Sequence, residues 1–271
     1  MDFKGKVVII TGASSGIGKA CAVEFAKRGA NLVLAARQYV TLCEITAELE
    51  KSHNIKALAV QVDVSKQEDC EQLIKQAVAT FGQIDILINN AGLSMRALFQ
   101  EVDLMVLKNL MDVNFWGTVY CSKYALSEIL KTKGSIIGVS SIAGYRGLPG
   151  RTGYSASKFA MNGFMESLRT ELLKTGVHVM VACPGFTTSN IRVAALAEDG
   201  QSHGETSMDE GKMMTAEEVA KIMADGIVNR KRTLVIGGQG KLTVWLNKLL
   251  PALADNLVFN HFTKEKNALI K

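Results

Sequence analysis

Tyr154 and Lys158 stand four residues apart in Tyr154-Ser155-Ala156-Ser157-Lys158, a spacing that puts a phenol and an ammonium on one face of a helix. A phenol left to itself is a poor proton shuttle at neutral pH. Two unit charges about 4 Å apart at an effective dielectric of ~20 interact by roughly 4 kcal/mol. With one pKa unit worth about 1.4 kcal/mol, Lys158 is expected to draw Tyr154 from ~10 toward ~7, where acid–base catalysis works best. Ser141 precedes Tyr154 by thirteen residues and ends a strand-like run, so its hydroxyl can reach the same edge and hydrogen-bond a substrate oxygen. A serine hydrolase is disfavoured, because no His stands in a recognisable nucleophile setting.

A second cluster could hold a phosphate. Thr11-Gly12-Ala13-Ser14-Ser15-Gly16-Ile17-Gly18 falls where a strand-like run gives way to a helical one. Small residues there let the backbone approach a pyrophosphate, and the helix N-terminus favours its charge. The next strand ends in Leu34-Ala35-Ala36-Arg37, without the Asp or Glu that would bind a ribose 2′-hydroxyl. A guanidinium in that place suits a 2′-phosphate, which points to NADP rather than NAD. Asp63 and Asn89-Asn90-Ala91-Gly92 follow the third and fourth strands, at the carboxyl edge where open α/β sheets bind ligands.

The elements that must position these residues are legible as an alternation. Strands are predicted near 6–11, 31–36, 56–62, 84–89, 134–140, 176–182 and 232–236, and helices near 16–28, 39–52, 67–80, 103–131, 154–174 and 215–229. Runs such as Val7-Val8-Ile9-Ile10 are too continuously apolar for a one-sided sheet. The prediction is an α/β, single-domain Rossmann fold: a doubly wound seven-stranded parallel sheet flanked by helices over 1–240, with a helical extension at 241–271. Thr215-Ala216-Glu217-Glu218 has capping-box form. The irregular stretch 186–214 has the length of a lid or substrate loop.

Composition excludes several classes. The net charge of +5 comes from scattered Lys and Arg with no basic run of five or more, so no nucleic-acid partner is expected. Five scattered cysteines and four histidines show no ligand spacing; no metal is predicted, and reduced thiols suggest a cytoplasmic protein. Met1 to Lys6 lead directly into a strand instead of an export signal, and no apolar run reaches the roughly 18 residues needed to span a bilayer.

Taken together, Thr11-Gly12-x-x-x-Gly16-x-Gly18, Asp63, Asn89-Asn90-Ala91-Gly92, Asn114, Ser141, Tyr154, Lys158 and Pro184-Gly185 resemble the short-chain dehydrogenase/reductase family, over residues 5 to about 238. The resemblance implies an oxidoreductase that moves a hydride between NADP(H) and a carbonyl or secondary alcohol. It implies Ser141, Tyr154 and Lys158 as catalytic residues, Asn114 as holder of a relay water, and Lys158 as a ligand of the nicotinamide ribose. It further implies that Gly12, Ser14, Ser15, Gly16, Ile17, Gly18, Arg37, Asp63, Val64, Asn90, Ala91 and Gly92 line the cofactor. Pro184, Gly185, Phe186 and Thr187 would lie near the nicotinamide. Phe186-Thr187-Thr188-Ser189 departs from the family's usual Val or Ile before Thr, which leaves open which hydroxyl meets the carboxamide.

Ser140 to Gly144 and Tyr154 to Ala160 are similar to hydroxysteroid dehydrogenase-like reductases, some of which sit on membranes. Ser94, Tyr145, Phe186 and the Met-bearing 205–214 segment are candidates for an apolar substrate compartment. By family analogy a homodimer or homotetramer would form through 103–131 and 154–174. For 240–262 three readings stand: subunit packing or a substrate lid, a peripheral membrane contact, and a loose tail. A sugar-nucleotide epimerase shares the Tyr-x-x-x-Lys helix but needs a longer chain, and a non-catalytic NADP-binding sensor or scaffold would typically lack the Tyr or the Lys.

Overall fold

The computed structural model describes residues 2–188, 191–204, 213–264 and 267–270. Strands β1 (Val7–Thr11), β2 (Asn31–Ala36), β3 (Ala57–Gln61), β4 (Ile86–Asn89), β5 (Ser135–Val139), β6 (His178–Pro184) and β7 (Thr233–Ile236) form one sheet in the order β3-β2-β1-β4-β5-β6-β7. Every pairing is parallel, with Ile9 of β1 set between Val33 of β2 and Leu87 of β4.

Alternate residues of each strand face opposite cores. Val8 and Ile10 pack with α1 (Gly16–Lys27), α2 (Tyr39–Ser52) and α7 (Ala216–Val228), through Phe25, Leu42 and Met223. Val7 and Ile9 pack with α3 (Gln67–Phe81), α5 (Gly117–Thr132) and α6 (Thr152–Glu171), through Leu73, Cys121 and Met165. Both faces of the sheet are thus dry, as the continuous apolar runs require. The order reverses between β1 and β4, which opens a crevice beyond their carboxyl ends.

Local signals start the helices where they were predicted. Thr215 Oγ1 accepts from the Glu218 N–H at 3.1 Å while Glu218 accepts from the Thr215 N–H at 2.9 Å, a complete capping box. Asp103 caps α4 (Leu104–Leu110) by accepting from the Met105 N–H at 2.8 Å.

The single helix expected over 103–131 is a correction. Between α4 and α5 the chain makes a π turn, Met111–Trp116, with Asn114 inside it. Such turns insert one extra residue per turn and occur often at functional sites. A loose C-terminal tail is also ruled out for 238–262, which folds into α8 (Gly238–Leu249) and α9 (Pro251–Phe262), the proline opening the second helix. Among the described residues no helix is long and apolar enough to cross a membrane.

Candidate active site

The glycine-rich turn is held open from below. Thr11 Oγ1 accepts from the N–H groups of Asn90 and Ala91, each at 3.0 Å, and Asn90 Nδ2 donates to the carbonyls of Thr11 at 2.9 Å and Gly12 at 3.2 Å. Gly12 has φ +65°, and a Cβ there would come 2.8 Å from Ala91 Cα; at Gly18 it would come 2.2 Å from the Gly12 carbonyl oxygen. The Asn90 side chain is therefore spent on the turn.

The start of α1 differs from those of α3 and α7. Its N-cap Ser15 makes no side-chain capping bond and its first turn carries no acid, whereas α3 has Glu68 and Asp69 and α7 has Glu217 and Glu218. Its first N–H groups, at the positive end of the helix dipole, fit an incoming pyrophosphate. Ser14 and Ile17 are half-buried beside them and Ser15 is exposed.

Arg37 lies exposed at the end of β2; its guanidinium makes no ion pair or hydrogen bond among the described residues, and its carbonyl accepts from Gln61 Nε2 at 3.2 Å. Asp63 takes up the Ser65 N–H at 3.1 Å and the Ser65 hydroxyl at 2.7 Å. Val64 abuts Gly117 closely enough that a Cβ there would sit 2.8 Å from Val64 Cγ2. Arg37 and Asp63 thus follow the carboxyl ends of β2 and β3.

At the neighbouring edge β5 runs into Ser141, the N-cap of a short 3₁₀ turn, Ile142–Gly144, whose Oγ accepts from the Ala143 N–H at 3.2 Å. Tyr154 and Lys158 come from the first turns of α6. Lys158, 3% exposed, gives Nζ to the Val139 carbonyl at 2.9 Å, and Nζ is 5.8 Å from the centre of the Tyr154 ring. A Cβ on Gly92 would lie 3.1 Å from Asn114 Oδ1 and 3.5 Å from Lys158 Nζ, so Gly92 leaves room where those groups meet.

Asn114 is fully engaged. Oδ1 accepts from the Leu93 N–H at 2.7 Å, while Nδ2 donates to the Leu93 carbonyl at 3.0 Å and to Ser157 Oγ at 2.8 Å. Ser157 in turn donates to the Tyr154 carbonyl at 2.7 Å. This buried serine, which sequence reasoning passed over, ties the π turn to the helix that carries Tyr154. Its one signal was its place between Tyr154 and Lys158, one helical turn beyond the tyrosine.

Electrostatics at Tyr154 differ from the expectation. Burial pushes the phenol above its ordinary value, against a hydrogen bond from Ser141 and the charge of Arg151, both of which pull it down. The ammonium of Lys158 is turned toward the Val139 carbonyl, and burial lowers its pKa to about 8. Desolvation is thus the largest influence on both groups. Cys183 nearby is pushed up to about 12 by burial, so it stays a neutral thiol and no nucleophile.

Tyr154, with Leu93 and Leu196, packs against a small buried apolar cluster that includes Met95, Ala97 and Leu110. Ser94 is buried, with its carbonyl accepting from the Leu196 N–H at 2.9 Å. Phe186 stacks on His261 of α9, ring centres 6.2 Å apart. Tyr145 does not join them, since its hydroxyl interacts with Thr233 and Cys183 under the sheet edge. Thr187 is buried and donates to the Gly185 carbonyl at 3.1 Å, and Gly185 itself is fixed by its N–H to the Ile236 carbonyl, also 3.1 Å. Pro184 closes β6, paired with Ile236.

The base of the 186–214 loop is closed by Thr188 N–H to the Met214 carbonyl at 2.9 Å. Residues 189–190 and 205–212 of that loop, most of the Met-bearing segment among them, lie outside the described residues. His178 is structural, bridging Ser135 Oγ at 3.2 Å and the Lys231 carbonyl at 2.8 Å.

A parallel sheet with a reversal at β1/β4, an open helix N-terminus beneath a glycine turn, and a Ser–Tyr–Lys–Asn cluster beside it together define a nucleotide-binding oxidoreductase. The family model for short chain dehydrogenases matches residues 6–200, and the chain belongs to that family. It is 33% identical over 260 residues to 11-beta-hydroxysteroid dehydrogenase A of Sesamum indicum, covering 94% of this chain and 74% of that protein. Among solved structures, a short chain dehydrogenase/reductase from Burkholderia phymatum in complex with NAD is similar with TM-score 0.83 and 25% identity, over 93% of this chain and 96% of the other. An alcohol dehydrogenase from Thermococcus sibiricus complexed with 5-hydroxy-NADP matches with TM-score 0.72 and 25% identity, over 84% and 93%.

Proposed function

We propose that this protein interconverts a carbonyl and a secondary alcohol with NADP(H), using Tyr154 as the acid and base. The observation that carries this reading is the cluster in which Tyr154 and Lys158 share the first turns of α6 while Lys158 and Asn114 converge at Gly92. The nicotinamide, when bound, supplies the hydride for reduction and accepts it for oxidation. Ser141 holds the substrate oxygen. In reduction the Tyr154 hydroxyl releases its proton to that oxygen as the carbonyl carbon gains two electrons, and in oxidation the proton returns. Lys158, with its pKa near 8, can gain or release a proton close to working pH and so recharge the tyrosine. Asn114 and Ser157 fix the start of α6 so that the phenol does not swing.

Arg37 supports NADP over NAD, as a cation open to a 2′-phosphate. Leu93, Leu196 and Phe186, each only partly buried, support an apolar ketone or alcohol over a sugar, in line with the hydroxysteroid named in the Sesamum relative. The five free cysteines fit a reducing compartment. Trp116 and Phe159, both exposed on the α5–α6 side, support assembly into a homo-oligomer there.

The test is Tyr154→Phe assayed with NADPH against a panel of carbonyl compounds. Turnover should nearly vanish while NADPH binding persists; turnover kept at the wild-type rate refutes the assignment. Absence of NADPH oxidation by the wild type across the panel would favour the sensor or scaffold reading.

A second reading adds to this one, carried by the outer surface of α8 and α9. Leu242 and Trp245 are each 56% exposed, with Leu249, Leu250, Leu253, Leu257 and Phe259 near half exposed, and Lys241, Lys248 and Lys264 lie among them. An apolar face with cations is suited to an anionic lipid surface. Flotation with phosphatidylserine vesicles tests it, and a protein left at the bottom at low salt rejects it.

A further inference from the structure

The turn that begins at Ser141 is held from two sides. Ser141 Oγ accepts from the Ala143 N–H at 3.2 Å, so the serine moves with the 3₁₀ turn, Ile142–Gly144, that it caps. On the inner side Asn162 of α6, one helical turn beyond Lys158, donates Nδ2 to the Gly144 carbonyl at 2.8 Å. That bond ties the turn to the helix that carries Tyr154.

The outer side is held by the far end of the chain. Asn247 of α8 donates Nδ2 to the Tyr145 carbonyl at 2.9 Å, and its Oδ1 accepts from Arg146 Nη1 at 3.0 Å. Arg146 Nη2 donates to Asp255 Oδ1 of α9 at 2.5 Å. One guanidinium therefore joins both helices of the extension to the chain directly after the turn. The start of α8 also lies against the turn itself, since a Cβ on Gly240 would come 2.6 Å from Ile142 Cδ1.

The members of this clamp differ in weight. The Arg146 side chain is 17% exposed and that of Asp255 67%, so their ion pair belongs to the surface and contributes little. Asn247 is half-buried and satisfies a backbone carbonyl and a guanidinium at once. Leaving either partner unmade in such a place is costly, and the bond to the cation is the stronger kind.

We propose that Asn247 is a positioning residue for the reaction: through the Tyr145 carbonyl and Arg146 it fixes the turn that aims the Ser141 hydroxyl at the substrate oxygen. This rests on the reading of Ser141 as the group that holds that oxygen. Reacting geometries are sensitive to displacements of about 1 Å, and without Asn247 the turn keeps side-chain hydrogen bonds from α6 but loses those from α8. The glycine turn lies at β1, two strands from β5 in the sheet, so cofactor binding stands outside the reach of the clamp.

The test compares NADPH-dependent reduction of the fastest ketone of the carbonyl panel by the full chain in wild type, Asn247→Ala, Ser141→Ala and the double variant. Single turnovers with enzyme in excess over NADPH read the slow rates. Asn247→Ala should lower the rate about tenfold, with the Kd for NADPH unchanged. On the Ser141→Ala background the same substitution should cost nothing further, because the group it positions is gone. A tenfold loss repeated in full on that background overturns the proposal, and so does a lowered melting temperature with the rate kept, since the clamp then only docks the extension. If Asn247→Ala fails to fold, Arg146→Met takes its place, keeping the Asn247 bond to Tyr145; it should lower the rate several-fold, and a folded Arg146→Met with the wild-type rate overturns the proposal. Failure of the underlying reading is separate, since it shows as Ser141→Ala turning over at the wild-type rate.

Discussion

Replacing Lys158 by Met should make the protein more stable and inactive, with a pH signature that isolates the buried charge. The side chain is 3% exposed, and burial lowers its pKa from the ordinary 10.5 to about 8. That fall, ~2.5 in pKa at ~1.4 kcal/mol each, is about 3 kcal/mol of stability withheld when the ammonium is charged. Losing the bond to the Val139 carbonyl offsets about 1 kcal/mol of the gain, which leaves Lys158→Met ahead by about 2 kcal/mol at pH 7. Between pH 8 and 10.5 the unfolded wild type binds more protons at this site than the folded one, so wild-type stability rises with pH there. The mutant's lead should shrink across that window and reverse near its top, while below pH 8 it should be flat. Urea unfolding of both proteins without nucleotide, at intervals from pH 6.5 to 10.5, measures the difference and cancels the titrations they share. A mutant no more stable at pH 7, or a gap constant from pH 7 to 10, would refute a desolvated charge at 158.

Three further outcomes are expected. Thr11→Val strips the acceptor from the N–H groups of Asn90 and Ala91; it should lose roughly 2–4 kcal/mol in urea unfolding and weaken dinucleotide binding by titration, and unchanged binding would show the turn to be braced elsewhere. Arg37→Asp should weaken NADPH far more than NADH, read as the ratio of the two Kd values, and a constant ratio counts against phosphate recognition. Ser157→Ala cuts the bridge from Asn114 to the Tyr154 carbonyl; kcat should fall about tenfold with KM for NADPH unchanged, alongside roughly 1–2 kcal/mol of stability. A wild-type kcat would make that serine a packing residue only.

The catalytic helix shows how much of the site was legible. Tyr154 and Lys158 were visible because a fixed helical period converts four residues of sequence into shared facing. Ser141 and the Asn90 segment were visible because a parallel sheet brings all its carboxyl ends to one edge. Ser157 was not, since its place in the site comes from Asn114, 43 residues away. Tyr145 was a candidate for the apolar substrate compartment, and the interaction of its hydroxyl with Thr233, a residue of β7, is one that no local spacing shows. The π turn at Met111–Trp116 left no mark in a pattern that reads as one continuous amphipathic helix, because one extra residue per turn barely disturbs the apolar period.

The alternation of strands and helices, the doubly wound sheet and the membership of the candidate site follow from short-range periodicity and strand-end geometry, and so could be read from the residues in order. Tertiary structure alone decided the electrostatics of that cluster and the place of the last two helices. Desolvation depends on everything packed around a group, so the same Tyr–Lys pair that looks mutually activating along a helix is pushed the other way once it is buried.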